Sequence, residues 1–137
     1  MRVTRNLKIL FYVSFSALYF SGWIEYVLGF FNIGTIGISP AQSWALRVHG
    51  IVGLWFLFFL GHFYTEHIRP SLKRGRHLQS GVTIWTSLAA LSLSVPLLYY
   101  LVNETWRKMV VGFHTYLGLV VIFPIAAHIA LAIKSRK

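Results

Sequence analysis

The chain has 137 residues, of which 56% are hydrophobic and only 12% are charged, and its mean hydropathy is +0.63. A soluble domain carries about 25% charged residues, so this composition is typical of a membrane protein. Cysteine is absent, which excludes disulfides, thiolate metal sites and covalently attached c-type haem. The formal net charge of +10 comes from short basic clusters between apolar runs, which indicates membrane topology rather than nucleic-acid binding.

Four apolar runs follow one another along the chain, and each is close to the roughly 20 residues that a membrane-spanning helix needs. The predicted helices cover about residues 7–31, 44–65, 82–102 and 109–133. We interpret the first run as a retained helix, because it is too long for a signal peptide and contains Glu25. The connecting segments are short. Residues 1–137 are therefore predicted to form a single all-α domain, a bundle of four transmembrane helices.

The distribution of lysine and arginine predicts the orientation of this bundle. Basic residues cluster at both termini and between the second and third helices, whereas the first loop, FNIGTIGISPAQS, has none. Because positive segments stay on the cytoplasmic side, we expect both termini inside and the first and third loops outside. The expected location is a bacterial inner membrane, which the chain crosses several times. The clusters comprise Arg2, Arg5 and Lys8; Arg69, Lys73, Arg74 and Arg76; and Lys134, Arg136 and Lys137.

Two of the predicted helices carry a histidine near each end: His49 and His62 in the second helix, His114 and His128 in the fourth. The predicted topology makes these helices parallel, and separations of 13 and 14 residues give rises of about 20 and about 21 Å. His49 and His114 are then expected at the outer level, and His62 and His128 at the inner one. Because imidazole is a good axial ligand of haem iron, the pattern predicts two non-covalent b haems stacked between helices two and four. The alternative is that these histidines pack through hydrogen bonds or relay protons.

The inner ligand on the second helix is ambiguous. At about 100° per residue, His62 lies about 140° away from the face of His49, whereas His67 returns to that face. Depth favours His62, and His67 lies in EHIRP, where Pro70 predicts the end of the helix. We therefore prefer His62, with His67 as the alternative. Helix tilt or a bend at Pro124 would absorb the angle.

Glycines accompany the histidines. Gly53 and Gly118 follow His49 and His114 by four residues in a shared pattern, HxxxGL. Residues four apart share a helix face, so each glycine is expected to clear space for a flat macrocycle beside its histidine. Gly22 and Gly29 in the first helix are candidates for a similar role. The alternative is that these are ordinary packing glycines, which membrane helices contain in abundance.

Charged residues near the two levels are further candidates. Glu25 lies near the outer end of the first helix, where a carboxylate is costly unless it is paired or functional. It is a candidate proton acceptor for quinol, or an ion-pair partner of Arg47. Arg47 is equally a candidate for a propionate of the outer haem. On the inner side, Glu66 and His67 form a second candidate proton-handling pair. The basic residues of the second loop, together with His77, are candidates for propionate or quinone binding.

The histidine pairs His49/His62 and His114/His128 resemble those of the four-helix core of membrane di-haem b-type cytochromes. This broad group includes cytochrome b561-like proteins, the cytochrome b subunits of formate dehydrogenases and hydrogenases, and small DUF4405-like proteins. Ligand spacings of 13 and 14 residues are both familiar there, and in ferric-reductase-like domains. The resemblance covers about Trp44–Ile133. The first helix supplies no histidine, unlike that of some hydrogenase-type members.

The resemblance implies an electron-transfer subunit rather than a complete enzyme. Such a subunit passes electrons across the membrane between a quinone pool and a partner redox subunit of an oxidoreductase complex. The implied partner is of iron–sulfur, molybdenum or tungsten, hydrogenase or multihaem cytochrome type. Two alternatives remain: a self-contained transmembrane reductase of ferric iron or another oxidant, and a non-redox transporter whose histidines relay protons or bind a metal ion.

Overall fold

The computed structural model describes residues 5–31, 38–74 and 78–134. This part of the chain is helical apart from short connections. Basic residues used in the topology prediction, Arg2, Arg76, Arg136 and Lys137, lie outside it. The helices are α1 (Arg5–Phe31), α2 (Pro40–Phe63), a π-helical turn (Tyr64–Ile68), α3 (Arg69–Arg74), α4 (Leu78–Tyr100), α5 (Glu104–Val120) and α6 (Ile122–Lys134).

Four helical stretches in the described ranges are long and apolar enough to cross a membrane: Arg5–Phe31, Pro40–Lys73, Gln79–Tyr100 and Glu104–Lys134. Each exposes large apolar side chains, such as Phe20, Phe58, Leu93 and Phe123, that are suited to lipid. The prediction of an all-α protein with four candidate spans is confirmed, and the protein is an integral, multi-pass membrane protein. Its orientation and the predicted single domain stay predictions.

Two spans begin earlier than predicted, because a capping residue precedes their apolar run. Ser39 caps α2, its hydroxyl accepting a hydrogen bond from the backbone N–H of Gln42 at 3.1 Å, and Pro40 occupies the first turn. Asn103 caps α5 in the same way, accepting from the N–H of Trp106 at 3.1 Å. The second and fourth spans therefore begin at Pro40 and Glu104 rather than near Trp44 and Met109.

The second span continues beyond its predicted end. The helix passes through the π-helical turn Tyr64–Ile68 into α3, so the expectation that Pro70 ends it is wrong. Pro70 follows directly after the π-helical turn, where the hydrogen-bond register of the helix already changes. Pro124 acts differently. The last span is interrupted at Val121, between α5 and α6, where the proline ring would otherwise crowd the preceding turn.

The chain forms two compact units, Met1–His67 and Ile68–Lys137. In the first, α1 packs against α2 through aromatic rings, with the Phe11 centroid 4.9 Å from that of Phe63 and 5.7 Å from that of Phe56. In the second, α4 packs against α5 and α6, and Leu88, Val121 and Ile125 are buried. We call these units the first and second hairpins. In lipid, such contacts depend on van der Waals packing and interhelical hydrogen bonds.

Candidate functional site

His49 is held against α1 through one ring nitrogen. Its Nδ1 lies 3.1 Å from the carbonyl oxygen of Leu18 and 3.2 Å from the hydroxyl of Ser21. The Ser21 hydroxyl itself donates to the Leu18 carbonyl at 3.0 Å. Because a carbonyl only accepts, Nδ1 carries the proton. In the neutral ring, Nε2 then has the lone pair that a metal needs.

Gly22 makes room for this ring. A Cβ atom at Gly22 would lie 2.8 Å from Cε1 and 3.0 Å from Nδ1 of His49. Gly29, seven residues further along α1, makes similar room for Gln42, whose Nε2 would lie 3.1 Å from an added Cβ. These two glycines therefore clear space for side chains of α2. Whether they also border a macrocycle, as predicted, is not tested.

His114 is held in the second hairpin by the same kind of contact. Its Nδ1 lies 2.6 Å from the hydroxyl oxygen of Ser94, which is only 3% exposed. The Ser94 hydroxyl donates its single hydrogen to the carbonyl of Leu91 at 2.6 Å. Its oxygen must therefore accept from Nδ1–H of His114. The lone pair of the neutral ring is again on Nε2.

The two hairpins also share a sequence pattern around the contact between histidine and serine. Leu18 and Ser21 in the first hairpin correspond to Leu91 and Ser94 in the second, with the pattern Leu-x-x-Ser in both. The same leucines also face the two HxxxGL glycines. A Cβ on Gly53 would lie 3.7 Å from Leu18 Cδ1, and one on Gly118 would lie 3.9 Å from Leu91 Cδ2. These are ordinary contacts, so neighbouring protein atoms do not require glycine at either position. Their predicted role beside a macrocycle stays a prediction.

His128 has a serine partner too. Its Nδ1 lies 2.9 Å from the hydroxyl of Ser80, at the start of α4. Ser80 and Ser94 are 14 residues apart, as are His114 and His128. One helix, α4, therefore anchors both predicted ligands of the second hairpin by their Nδ1 atoms.

Sequence reasoning missed Ser21, Ser80 and Ser94. A serine in a membrane helix usually bonds a carbonyl of its own helix, and Ser21 and Ser94 do so. Nothing within one helix shows that the same oxygen also accepts from a histidine on the next. The available signal was the repetition of Leu-x-x-Ser before HxxxGL in both halves of the chain.

His62 and His67, the two candidates for the inner haem ligand on the second span, have different surroundings. His62 is exposed, and within the described residues its ring has no hydrogen-bond partner; its backbone carbonyl accepts from Thr65. His67 is half-buried in the π-helical turn, its ring centroid 4.8 Å from that of Phe63. A π-helical turn bonds i to i+5, so the regular α-helical angle per residue does not extend to His67. The angular argument for His67 therefore loses its basis, and the preference for His62 stays a prediction.

Glu25 and Arg47 have separate partners. Glu25 is half-buried and accepts a hydrogen bond from the Gln42 amide at 3.3 Å. The guanidinium of Arg47 lies 5.3 Å from the ring centroid of Trp44, as a cation–π pair. The structure therefore does not form the ion pair considered as an alternative for Glu25.

Other predicted residues lie at the far end of the first hairpin and beyond it. Glu66 and His67 both belong to the π-helical turn. Arg69 and Lys73 are exposed on α3, whereas Arg76 and His77 lie outside the described ranges. Their binding of a propionate or a quinone stays a prediction.

No family model, curated protein sequence or solved structure matches the chain. The resemblance to di-haem cytochromes therefore depends on the residues alone. Within the described ranges, no three or more His, Cys, Asp or Glu residues gather where they could hold a metal ion. A haem needs no such cluster, because the porphyrin supplies four ligands and the protein only the axial ones.

Proposed function

We propose that the protein is a di-haem cytochrome b subunit that carries electrons across the membrane between a quinone pool and a partner redox subunit. In this proposal His49 and His114 hold the outer haem, and His62 and His128 hold the inner one. The observation that supports it best is the shared tautomer of His49 and His114. In both, a hydrogen bond from Nδ1 leaves the lone pair on Nε2, as in metal-bound histidines whose other nitrogen is hydrogen-bonded.

The donor set suits the proposed cofactor. The imidazoles of the four proposed ligand histidines would hold the haem iron, and lipid-embedded helices would exclude water from it. When bound, haem supplies reversible one-electron chemistry. The chain's own residues fix the tautomer, orient the ring and make room for it: Ser21, Ser94 and Ser80 as Nδ1 partners, and Gly22 as the gap beside His49. Arg47 remains a candidate for an outer propionate.

The quinone site is placed by this proposal at Glu25. Its carboxylate is half-buried, is not paired with Arg47, and belongs to the same hairpin as the proposed ligand His49. A carboxylate so placed is suited to accept a proton as quinol gives up electrons. Gln42 donates to Oε1 and so orients the carboxylate without supplying a charge.

The orientation with both termini inside belongs to the same proposal. Arg5 and Lys8 lie at the start of α1, Lys134 at the end of α6, and Arg69 and Lys73 on α3. Such an excess of basic residues is expected on the cytoplasmic face. The HxxxGL histidines and Glu25 would then lie toward the outer face of a bacterial inner membrane.

The test is a haem count combined with single-ligand variants. Purified protein should contain about two b haems per chain by pyridine haemochrome assay, the count that two axial pairs require. His49→Ala and His114→Ala should each remove the haem of the same midpoint potential, whereas His128→Ala should remove the other. The pairing is wrong if His49→Ala and His114→Ala remove different haems.

The same measurements separate the alternatives. A reduced-minus-oxidised spectrum without b-type bands would overturn the proposal in favour of a non-redox transporter. Stable co-purification of a redox subunit in mild detergent supports the subunit function. Ferric reductase activity of the isolated chain with a soluble donor, and no co-purified partner, would instead indicate a self-contained reductase.

A further inference from the structure

We propose that Ser21 and Ser94 are positioning residues that fix the tautomers of His49 and His114 and thereby lower the reduction potential of the haem these histidines share. The haem part of this inference rests on the proposed function. The tautomer part concerns the chain alone and is testable without haem.

The first step is the orientation of the serine hydroxyls. Each hydroxyl donates to the carbonyl three residues earlier, Ser21 to Leu18 at 3.0 Å and Ser94 to Leu91 at 2.6 Å. A serine has one hydrogen to donate, so each hydroxyl presents only lone pairs to the facing imidazole. An imidazole at such an oxygen is stabilised with its proton on Nδ1. The serines therefore select the tautomer in which Nε2 has the lone pair.

The second step is the effect on bound iron. A ligating histidine that donates its Nδ1 proton to an oxygen becomes a more basic ligand. A more basic ligand stabilises ferric iron over ferrous iron, so the hydrogen bond lowers the potential. Removing the serine hydroxyl should raise it. The bond exists in both oxidation states, so only the difference in its strength moves the potential; its full value, about a tenfold change in equilibrium constant, sets an upper limit of about 59 mV for a one-electron couple.

The third step is a difference between the two hairpins. His49 Nδ1 lies 3.2 Å from Ser21 and also 3.1 Å from the Leu18 carbonyl, which a serine variant would retain. His114 Nδ1 lies only 2.6 Å from Ser94. Because its contact with the serine is the shorter one, His114 is the histidine on which the variants below test the inference.

The first experiment uses haem-free protein in detergent. Long-range ¹⁵N–¹H spectra of histidine-labelled chain report which ring nitrogen carries the proton, with signals assigned by single histidine variants. We expect the Nδ1–H form for His49 and His114, and a partial shift of His114 to the Nε2–H form in Ser94→Ala. Ser94→Thr should restore the original form, because it keeps the hydroxyl. The Nε2–H form of His114 in the unmodified chain would overturn the inference.

The second experiment is a redox titration of haem-loaded protein, with Ser92→Ala as the matched control. Ser92 lies two residues from Ser94 and bonds the Leu88 carbonyl at 2.9 Å, and within the described residues it makes no hydrogen bond to a histidine. Ser94→Ala should raise one midpoint by up to about 59 mV, the limit set by the tenfold change above, and Ser94→Thr and Ser92→Ala should leave it unchanged. Equal shifts in Ser94→Ala and Ser92→Ala would overturn the effect on potential. If His49 and His114 are in the Nδ1–H form but the chain binds no haem, the proposed function is wrong and the positioning role of the serines still holds.

Discussion

Replacement of Gly22 by alanine tests the contact between α1 and the ring of His49. The added Cβ would lie 2.8 Å from Cε1 and 3.0 Å from Nδ1, closer than carbon atoms approach without displacement. The ring cannot move away freely, because its Nδ1 is bonded to Leu18 and Ser21. Either the helices separate, at about 1–3 kcal/mol for overpacking, or the ring leaves its hydrogen bonds, at about 1 kcal/mol. Both outcomes should weaken retention of the haem that His49 is proposed to hold.

The assay compares Gly22→Ala with two matched glycine variants by haem content and thermal unfolding. A Cβ on Gly81 would lie 3.8 Å from Cε1 of His128, the same ring atom that Gly22 faces on His49. A distance of 3.8 Å is an ordinary van der Waals contact. Gly50 has no atom within 4 Å of an added Cβ. Gly81→Ala and Gly50→Ala should therefore retain both haems, whereas Gly22→Ala should lose one and unfold at a lower temperature. Equal haem content and stability in all three variants would refute the steric argument.

Three further predictions concern ligand choice, proton transfer and capping. His62→Ala should lose the inner haem while His67→Ala keeps both, and the reverse result in a haem count would make His67 the ligand. Glu25→Gln should slow quinol-dependent haem reduction by about 10²–10⁴-fold at unchanged haem content, because it removes the proton acceptor. Glu104→Gln is its control, since Glu104 is an exposed carboxylate paired with Lys108 at 2.8 Å; equal rates in both variants would reject a quinol role for Glu25. Asn103→Ala should lower the free energy of unfolding by about 1 kcal/mol through loss of the α5 cap, with haem spectra unchanged, and a change below a few tenths would contradict the capping role.

The four spans were predictable because hydropathy alone decides where a helix can cross lipid. The starts of two spans were missed because they were placed at the first apolar residue, whereas the capping side chains of Ser39 and Asn103 begin the helices four to five residues earlier. The π-helical turn could not be predicted from EHIRP, where Pro70 is an ordinary signal for a helix end. A change in hydrogen-bond register within a continuous helix leaves no comparable mark in the sequence.

The candidate site was predictable only in part, for a related reason. The spacing of His49 and Gly53, and of His114 and Gly118, is a property of one helix and is visible in the sequence. The contact between a histidine and a serine joins two helices, so it depends on how the helices pack. Gly22 shows the same limit. It appeared as one glycine among several in an apolar run, and only the packed hairpin shows that the ring of His49 occupies the space it leaves.

The repeated contact suggests why polar rings are tolerated in so apolar a chain. A serine that donates to its own helix still has an oxygen able to accept, and Ser21 and Ser94 offer that oxygen to a histidine on the next helix. Each hairpin thus satisfies Nδ1 from within and leaves Nε2 in the form that binds a metal. Under the proposed function, haem iron would take up the remaining nitrogen of each ring, and the serines would satisfy the nitrogens that the iron does not.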